Sequence, residues 1–305
     1  MVQGPVRVLH FMLLLAACGG GAAAAAPADV AAALLVHPTA ADLPRVIDGA
    51  TAGGARPAVQ VYRWDRFPDV LIVDSASFAV QDRLFTRLAY FLEKRGYRGR
   101  LLSNAVLAGR HGWNAHDYGA AGLADFFTAA RAASFPLNPE EIAVRELSVR
   151  EGIIAAGRAG YVPGRGAVLG ISRSSSRVER ELLLTHEAFH GVFFSSAEYR
   201  SFCQDLWDSL SPELRSFYEG FLDSLGYDTG APTLVVNEFQ AYLMQQPLSY
   251  AAGYFQRFLE LRESHGRPVE PWQLLQNAQS LDAFLKDHFG FGAGGPLLST
   301  LGSGR

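Results

Sequence analysis

Apolar and polar positions along this chain follow two periods. Val70-Leu71-Ile72-Val73 is a short β-branched run and predicts a buried strand. Downstream, Leu84, Leu88, Phe91 and Leu92 recur at helical spacing, and Gly96 stands where a helix stop is expected. A second helix is predicted over 120–132, where Leu123, Phe126, Phe127 and Ala130 share a face. Asn138-Pro139-Glu140-Glu141 reads as a helix start, with a cap residue, proline in the first turn and an acid three positions after the cap; that helix is expected to run to Ala156. Gly166-Ala167-Val168-Leu169-Gly170-Ile171 predicts another strand. Ser174 to Ser176 can cap the next helix, in which Val178, Leu182, Phe189 and Phe193 keep helical spacing as far as Phe194. Further helices fit 197–210, 212–225, 233–246, 250–264 and 271–289. The expected fold class is α+β, with a mixed N-terminal part holding a short sheet and a mostly helical C-terminal part.

Composition narrows the function. The chain has 305 residues, 49% of them hydrophobic and 19% charged, which suits a buried core and argues against disorder. A formal net charge of -3 offers no basic field for nucleic acid. Arg7 followed by the apolar run Val8–Ala17 reads as an export signal, too short to span a bilayer. It ends in Leu15-Ala16-Ala17-Cys18, which resembles the lipobox of bacterial lipoproteins. That resemblance implies lipidation at Cys18, and a protein anchored in the bacterial cell envelope by its lipid, facing the periplasm or the exterior. The only other cysteine is Cys203, so no intrachain disulfide framework is expected after cleavage. The expected organisation is a signal peptide over 1–18, a Gly/Ala-rich tether over 19–54, a mixed α/β region over 55–160, a helical region over 161–290 and a flexible tail over 291–305.

The candidate chemistry lies in His186-Glu187-Ala188-Phe189-His190. Two histidines four apart on a helix differ by about 40° of rotation and 6 Å of rise, so both imidazoles reach one ion. Glu187 lies about 100° from His186 around the helix axis, beside the ion rather than on it, where it can serve as general base. A zinc site of this kind needs a third protein ligand and an open position. Glu198, Asp228, Glu238 and His265 follow the motif, and Glu238 is favoured because it sits among apolar residues in Val236-Asn237-Glu238-Phe239-Gln240-Ala241-Tyr242. Tyr242, one turn later on the same face, can donate to an oxyanion.

Together, His186-Glu187-Ala188-Phe189-His190 and Asn237-Glu238-Phe239-Gln240-Ala241-Tyr242 resemble the gluzincin group of zinc metallopeptidases over roughly 165–247. The resemblance implies one Zn²⁺ on His186, His190 and Glu238, Glu187 as the base, and a peptide or protein substrate. It also implies that the strand at 167–171 is an edge to which an extended substrate adds. No Gly-Ala-Met-Glu-Asn-like segment for gripping a free amino terminus is found, which makes an endopeptidase the expected activity.

Other residues carry weaker expectations. His111 to Tyr118 is read as a structured loop, with His111 or His116 as conceivable assistants. Asp74 is read as a cap for the helix after 70–73, and Cys203 as a buried apolar group. His265 and His288 lie near helix ends, and the basic run Arg173–Arg180 reads as a solvated helix start. Two rival functions remain: a non-enzymatic envelope lipoprotein that binds a partner, and a zinc hydrolase of a non-peptide amide.

Overall fold

The computed structural model describes residues 26–49, 56–263 and 269–295. Its strands are β1 (Thr39–Ala41), β2 (Val59–Trp64), β3 (Val70–Ser75), β4 (Ala115–Gly119), β5 (Ile154–Ala156), β6 (Tyr161–Pro163) and β7 (Ala167–Ser172). Its helices are α1 (Pro27–Leu34), α2 (Leu43–Asp48), α3 (Phe78–Leu92), α4 (Asn104–Leu107), α5 (Ala120–Ala132), α6 (Pro139–Arg150), α7 (Arg177–Ser195), α8 (Ala197–Ser209), α9 (Pro212–Leu225), α10 (Pro232–Met244), α11 (Leu248–Tyr254), α12 (Gln256–Glu263) and α13 (Pro271–Phe289). The fold is α+β, as expected.

Five strands form one mixed sheet in the order β1-β2-β3-β7-β4, and β5 pairs with β6 in a separate ribbon. β3 and β7 are parallel, while β4 runs antiparallel to β7. Every residue of β3 and of β7 is buried, because helices cover both faces of the sheet. Tyr62, Trp64, Val70, Ile72, Leu169 and Ile171 face α2, α7 and the C-terminal helices. The alternate positions Val61, Leu71, Val73, Tyr118 and Val168 face α1, α3, α5 and α6. Gly170 sits where a Cβ would come 2.7 Å from the Phe85 ring, so this close approach of α3 to β7 requires glycine.

α7 is clamped between the sheet and α10, which explains why every residue from Leu184 to Phe193 is buried, the polar Thr185, His186, Glu187 and His190 included. Its start is fixed by a capping box, in which Ser176 accepts from Glu179 N and the Glu179 carboxylate accepts from Ser176 N. The predicted cap at Asn138 also forms, and α9 is capped by Ser211 and stopped by Gly226 in the left-handed conformation.

Several expectations are corrected. β7 is interior, with β4 outside it, so the edge next to α7 is β4 and not the strand at 167–171. Half of the predicted 111–118 loop is therefore strand. The helix expected to reach Ala156 ends at Arg150, and Gly152 at φ 73 turns the chain into β5. The 250–264 helix breaks at Phe255, whose ring packs onto Phe217, Tyr218 and Phe221. Of the 19–54 tether, 27–49 is folded: Val30 and Leu34 are sealed in the core, and Asp42 caps α2. The division at 160 cuts through one sheet, since β7 pairs with β3 and β4. In the 291–305 tail, Phe291 is buried and Gly294 N donates to Met244 O. Asp74 does not cap α3, a role taken by Ser77. Cys18 with its lipobox, and His265, lie outside the described residues. No helix among those described is long and apolar enough to cross a membrane.

Candidate metal centre

His186 and His190 stand one turn apart near the middle of α7 and point toward α10. Their Nε2 atoms are 3.0 Å apart. Glu238 Oε2, from the middle of α10, lies 3.4 Å from His186 Nε2 and 3.7 Å from His190 Nε2. Donors about 2.0–2.2 Å from a tetrahedral centre stand about 3.3–3.6 Å from one another, and separations of 3.0–3.7 Å lie within a few tenths of an ångström of that, so these three atoms could share one metal ion. The three residues are buried and together could hold such an ion. Glu198 and Asp228 are elsewhere: Glu198 faces His288 on the surface, and Asp228 accepts from Gly230 N.

Neighbouring side chains set the orientation of each ring. Gln245 Oε1 is 3.0 Å from His186 Nδ1. Asp117 Oδ2 is 3.5 Å from His190 Nδ1, and also accepts from Asn237 Nδ2 at 3.1 Å. His186 Nδ1 has an acceptor in Gln245, and the oxygen nearest His190 Nδ1 is that of Asp117, at 3.5 Å without a hydrogen bond; protons on both Nδ1 atoms leave both Nε2 lone pairs directed at the ion position. Asp117 comes from β4: Ala115 and Asp117 point to the α7 side of the pleat, while His116 and Tyr118 point to the α3 side.

Glu187 lies within 4.8 Å of donor atoms of both His190 and Asp117. Its carboxyl is pushed far above the ordinary range, first by burial and then by the negative charges of Glu238 and Glu93. Asp117 is likewise raised by burial and by Glu93, Glu187 and Glu238. Burial raises Glu238 too, against the opposing effects of His190 and of a hydrogen bond from Tyr227. Glu187 Oε2, Glu238 Oε2 and His190 Nδ1 are buried without a hydrogen-bond partner. Acids crowded in this way around two neutral imidazoles are costly to bury unless a cation compensates them. Both the donor set and the missing counter-charge therefore fit a divalent metal ion.

Aromatic and charged residues close the site. The Tyr242 ring lies 4.5 Å from that of His186, and its hydroxyl is 3.4 Å from that of Tyr227. Tyr227 stacks on Trp113, whose indole N–H donates to Glu93. Glu93 is pushed up to about 8 by burial and by Glu238, and the adjacent Lys94 is pushed down to about 7 by burial.

Sequence reasoning missed Asp117, Gln245, Glu93 and Tyr227. Asp117 lay inside a segment that had been singled out, but the strand carrying it has no apolar alternation to reveal it. His111 and His116, read mainly as parts of a structured segment, are not at the site. His111 bonds Asp82 and Asn114, and His116 is buried on the far face of the sheet against Tyr118. Cys203 is buried, and its thiol is pushed up by burial, as an apolar role requires.

No protein-family model, curated protein or solved structure matches the chain.

Proposed function

We propose that this chain is a zinc-dependent metallopeptidase, an endopeptidase acting on peptide or protein substrates, held in the bacterial cell envelope through a lipid on Cys18. One observation carries the enzymatic part: His186 Nε2, His190 Nε2 and Glu238 Oε2 converge within 3.0–3.7 Å, with the Glu187 carboxyl beside them. The anchor is supported by the Leu15-Ala16-Ala17-Cys18 segment alone.

Zinc on those three side chains would supply a Lewis acid for a substrate carbonyl and would make water acidic enough to lose a proton near neutral pH. Glu187 takes the proton from the attacking water and returns it to the departing nitrogen. Tyr242 donates its hydroxyl to the developing oxyanion. Gln245 and Asp117 hold the two rings in register. β4, which bears Asp117, is the edge strand of the sheet on this side, the kind of position at which an extended peptide adds to a sheet.

The burial of His186, Glu187, His190 and Glu238 favours a second reading, in which the ion is structural. One comparison separates the two: hydrolysis of a peptide library by zinc-loaded wild type and by Glu187→Gln, with bound zinc measured in both. The enzyme reading expects equal zinc and a loss of about 10²–10⁴-fold in rate for the variant. Zinc-loaded proteins that are equally inert would leave the structural ion.

A further inference from the structure

At the N-terminal end of α7, well away from the histidines, four arginines surround one pocket. It is lined by Ile47, Asp48, Arg56, Arg173, Arg177 and Arg180 and has a volume of about 250 Å³. Arg177 and His186 are nine residues apart on α7, which is about 13 Å of helix rise, so the pocket is distinct from the metal centre. It sits where parallel strands β3 and β7 end and a helix begins, the position at which open α/β sheets bind ligands. The helix start itself is solvated, as expected, with Ser176, Arg177 and Val178 exposed, but the arginines at the two ends of the run are not: Arg180 is buried, and only 11% of the Arg173 side chain is exposed.

The charges here do not close on themselves. Asp48 is paired with Arg177, which also reaches Glu181 at 3.0 Å. Asp74, fully buried behind the pocket, pairs with Arg180 at 2.9 Å and lies 3.9 Å from Arg173. Arg56 has no carboxylate partner among the described residues; its guanidinium donates to the Asp48 backbone carbonyl. Arg173 donates to the carbonyls of Ser75, Pro57 and Ala58, but its Nη1 is buried and has no hydrogen-bond partner. The hydroxyl of Tyr62, on the same side of the sheet as Asp74, is also buried and unpartnered. Segment 50–55 reads Ala-Thr-Ala-Gly-Gly-Ala and contributes no acid.

We propose that this pocket is an anion site for a phosphate group, free or on a small phosphomonoester. Guanidinium forks match tetrahedral oxyanions, and two arginines there have unused donors or no anionic partner. The positive end of α7 adds to their attraction. The volume is below the usual range of about 300–1,000 Å³ for drug-sized ligands, which suits a small phosphate. A phospholipid headgroup presents the same chemistry.

Isothermal titration of the full chain with inorganic phosphate, at fixed ionic strength and against chloride, tests the site. Single-site binding tighter than about 1 mM is expected, weakened about tenfold or more in Arg56→Gln/Arg177→Gln. Both positions are exposed, and an unchanged circular dichroism spectrum and melting temperature check the fold. Co-sedimentation with phosphatidic acid/phosphatidylcholine vesicles, competed by phosphate and lost in the double variant, would assign the site to headgroups. Phosphate binding without co-sedimentation would assign it to soluble phosphates. No saturable binding by the wild type, or equal binding by the variant, would overturn the proposal.

Discussion

His186 and His190 present their Nε2 atoms to each other across 3.0 Å, while each Nδ1 faces an oxygen, of Gln245 and Asp117 respectively. Two lone pairs at that distance do not form a hydrogen bond. A shared cation would satisfy the arrangement, and Glu238 would complete it from α10. A helix turn, a sheet edge and a second helix therefore meet at one point, and each supplies a group that the others leave uncompensated.

The outer acceptors should matter for binding. Asp117→Ala removes the oxygen facing His190 Nδ1 and frees Asn237. Zinc affinity, measured by competition with a chromogenic chelator, is expected to fall about 10–100-fold with helix content unchanged. Unchanged affinity would remove Asp117 from the site.

Tyr242→Phe separates chemistry from packing. The ring remains against His186 and Phe221, so zinc stoichiometry is expected to hold. On a peptide the variant hydrolyses, kcat is expected to drop about 10²–10³-fold if the hydroxyl stabilises the oxyanion. A kcat equal to wild type would assign Tyr242 to packing alone.

The metal-free protein should have a characteristic pH dependence. A buried acid whose pKa is raised on folding stabilises the fold at low pH, and that contribution is lost as pH climbs toward its folded value. Glu93, at about 8, behaves this way, as do Asp117 and Glu187, which are raised well above their ordinary values. His186 and His190, pushed down to about 4 by burial from 6.5, act oppositely and lose stability only as pH falls through that range. Lys94, at about 7, opposes the acids above that pH, one group against three. In a chelator, denaturation midpoints are expected to fall between pH 6.5 and 8. With zinc the fall should be smaller, because the ion favours the charged acids. Identical slopes with and without zinc would contradict this.

Arg180 ties the start of α7 to the sheet by pairing with Asp74, and both are buried. Arg180→Met leaves the buried Asp74 carboxylate with only Arg173, 3.9 Å away, and chemical denaturation should show a loss approaching about 3–5 kcal/mol. Adding Asp74→Leu should recover most of it. A single variant as stable as wild type would show that the pair does not hold α7.

How far the sequence was legible follows from what each segment buries. α7 could be read because its apolar period is unbroken and Ser176 caps it, and α9 and α13 because proline and glycine punctuate them. Glu238 could be read because an acid among apolar residues needs a reason. β4 could not: Ala-His-Asp-Tyr-Gly is polar yet buried, with Asp117 turned to the metal centre and His116 to the opposite core. α1 was hidden by its alanines, since only Val30 and Leu34 mark its buried face. The arginine pocket was illegible because it joins Arg56 to three arginines more than a hundred positions later.

Metal analysis of the purified protein is the most direct test of the centre. Wild type is expected to hold one zinc per chain, and His186→Ala/His190→Ala to hold none while keeping its fold by circular dichroism. A wild type without stoichiometric metal after exposure to zinc, or a double variant that binds it equally well, would contradict the assignment of His186, His190 and Glu238 as ligands.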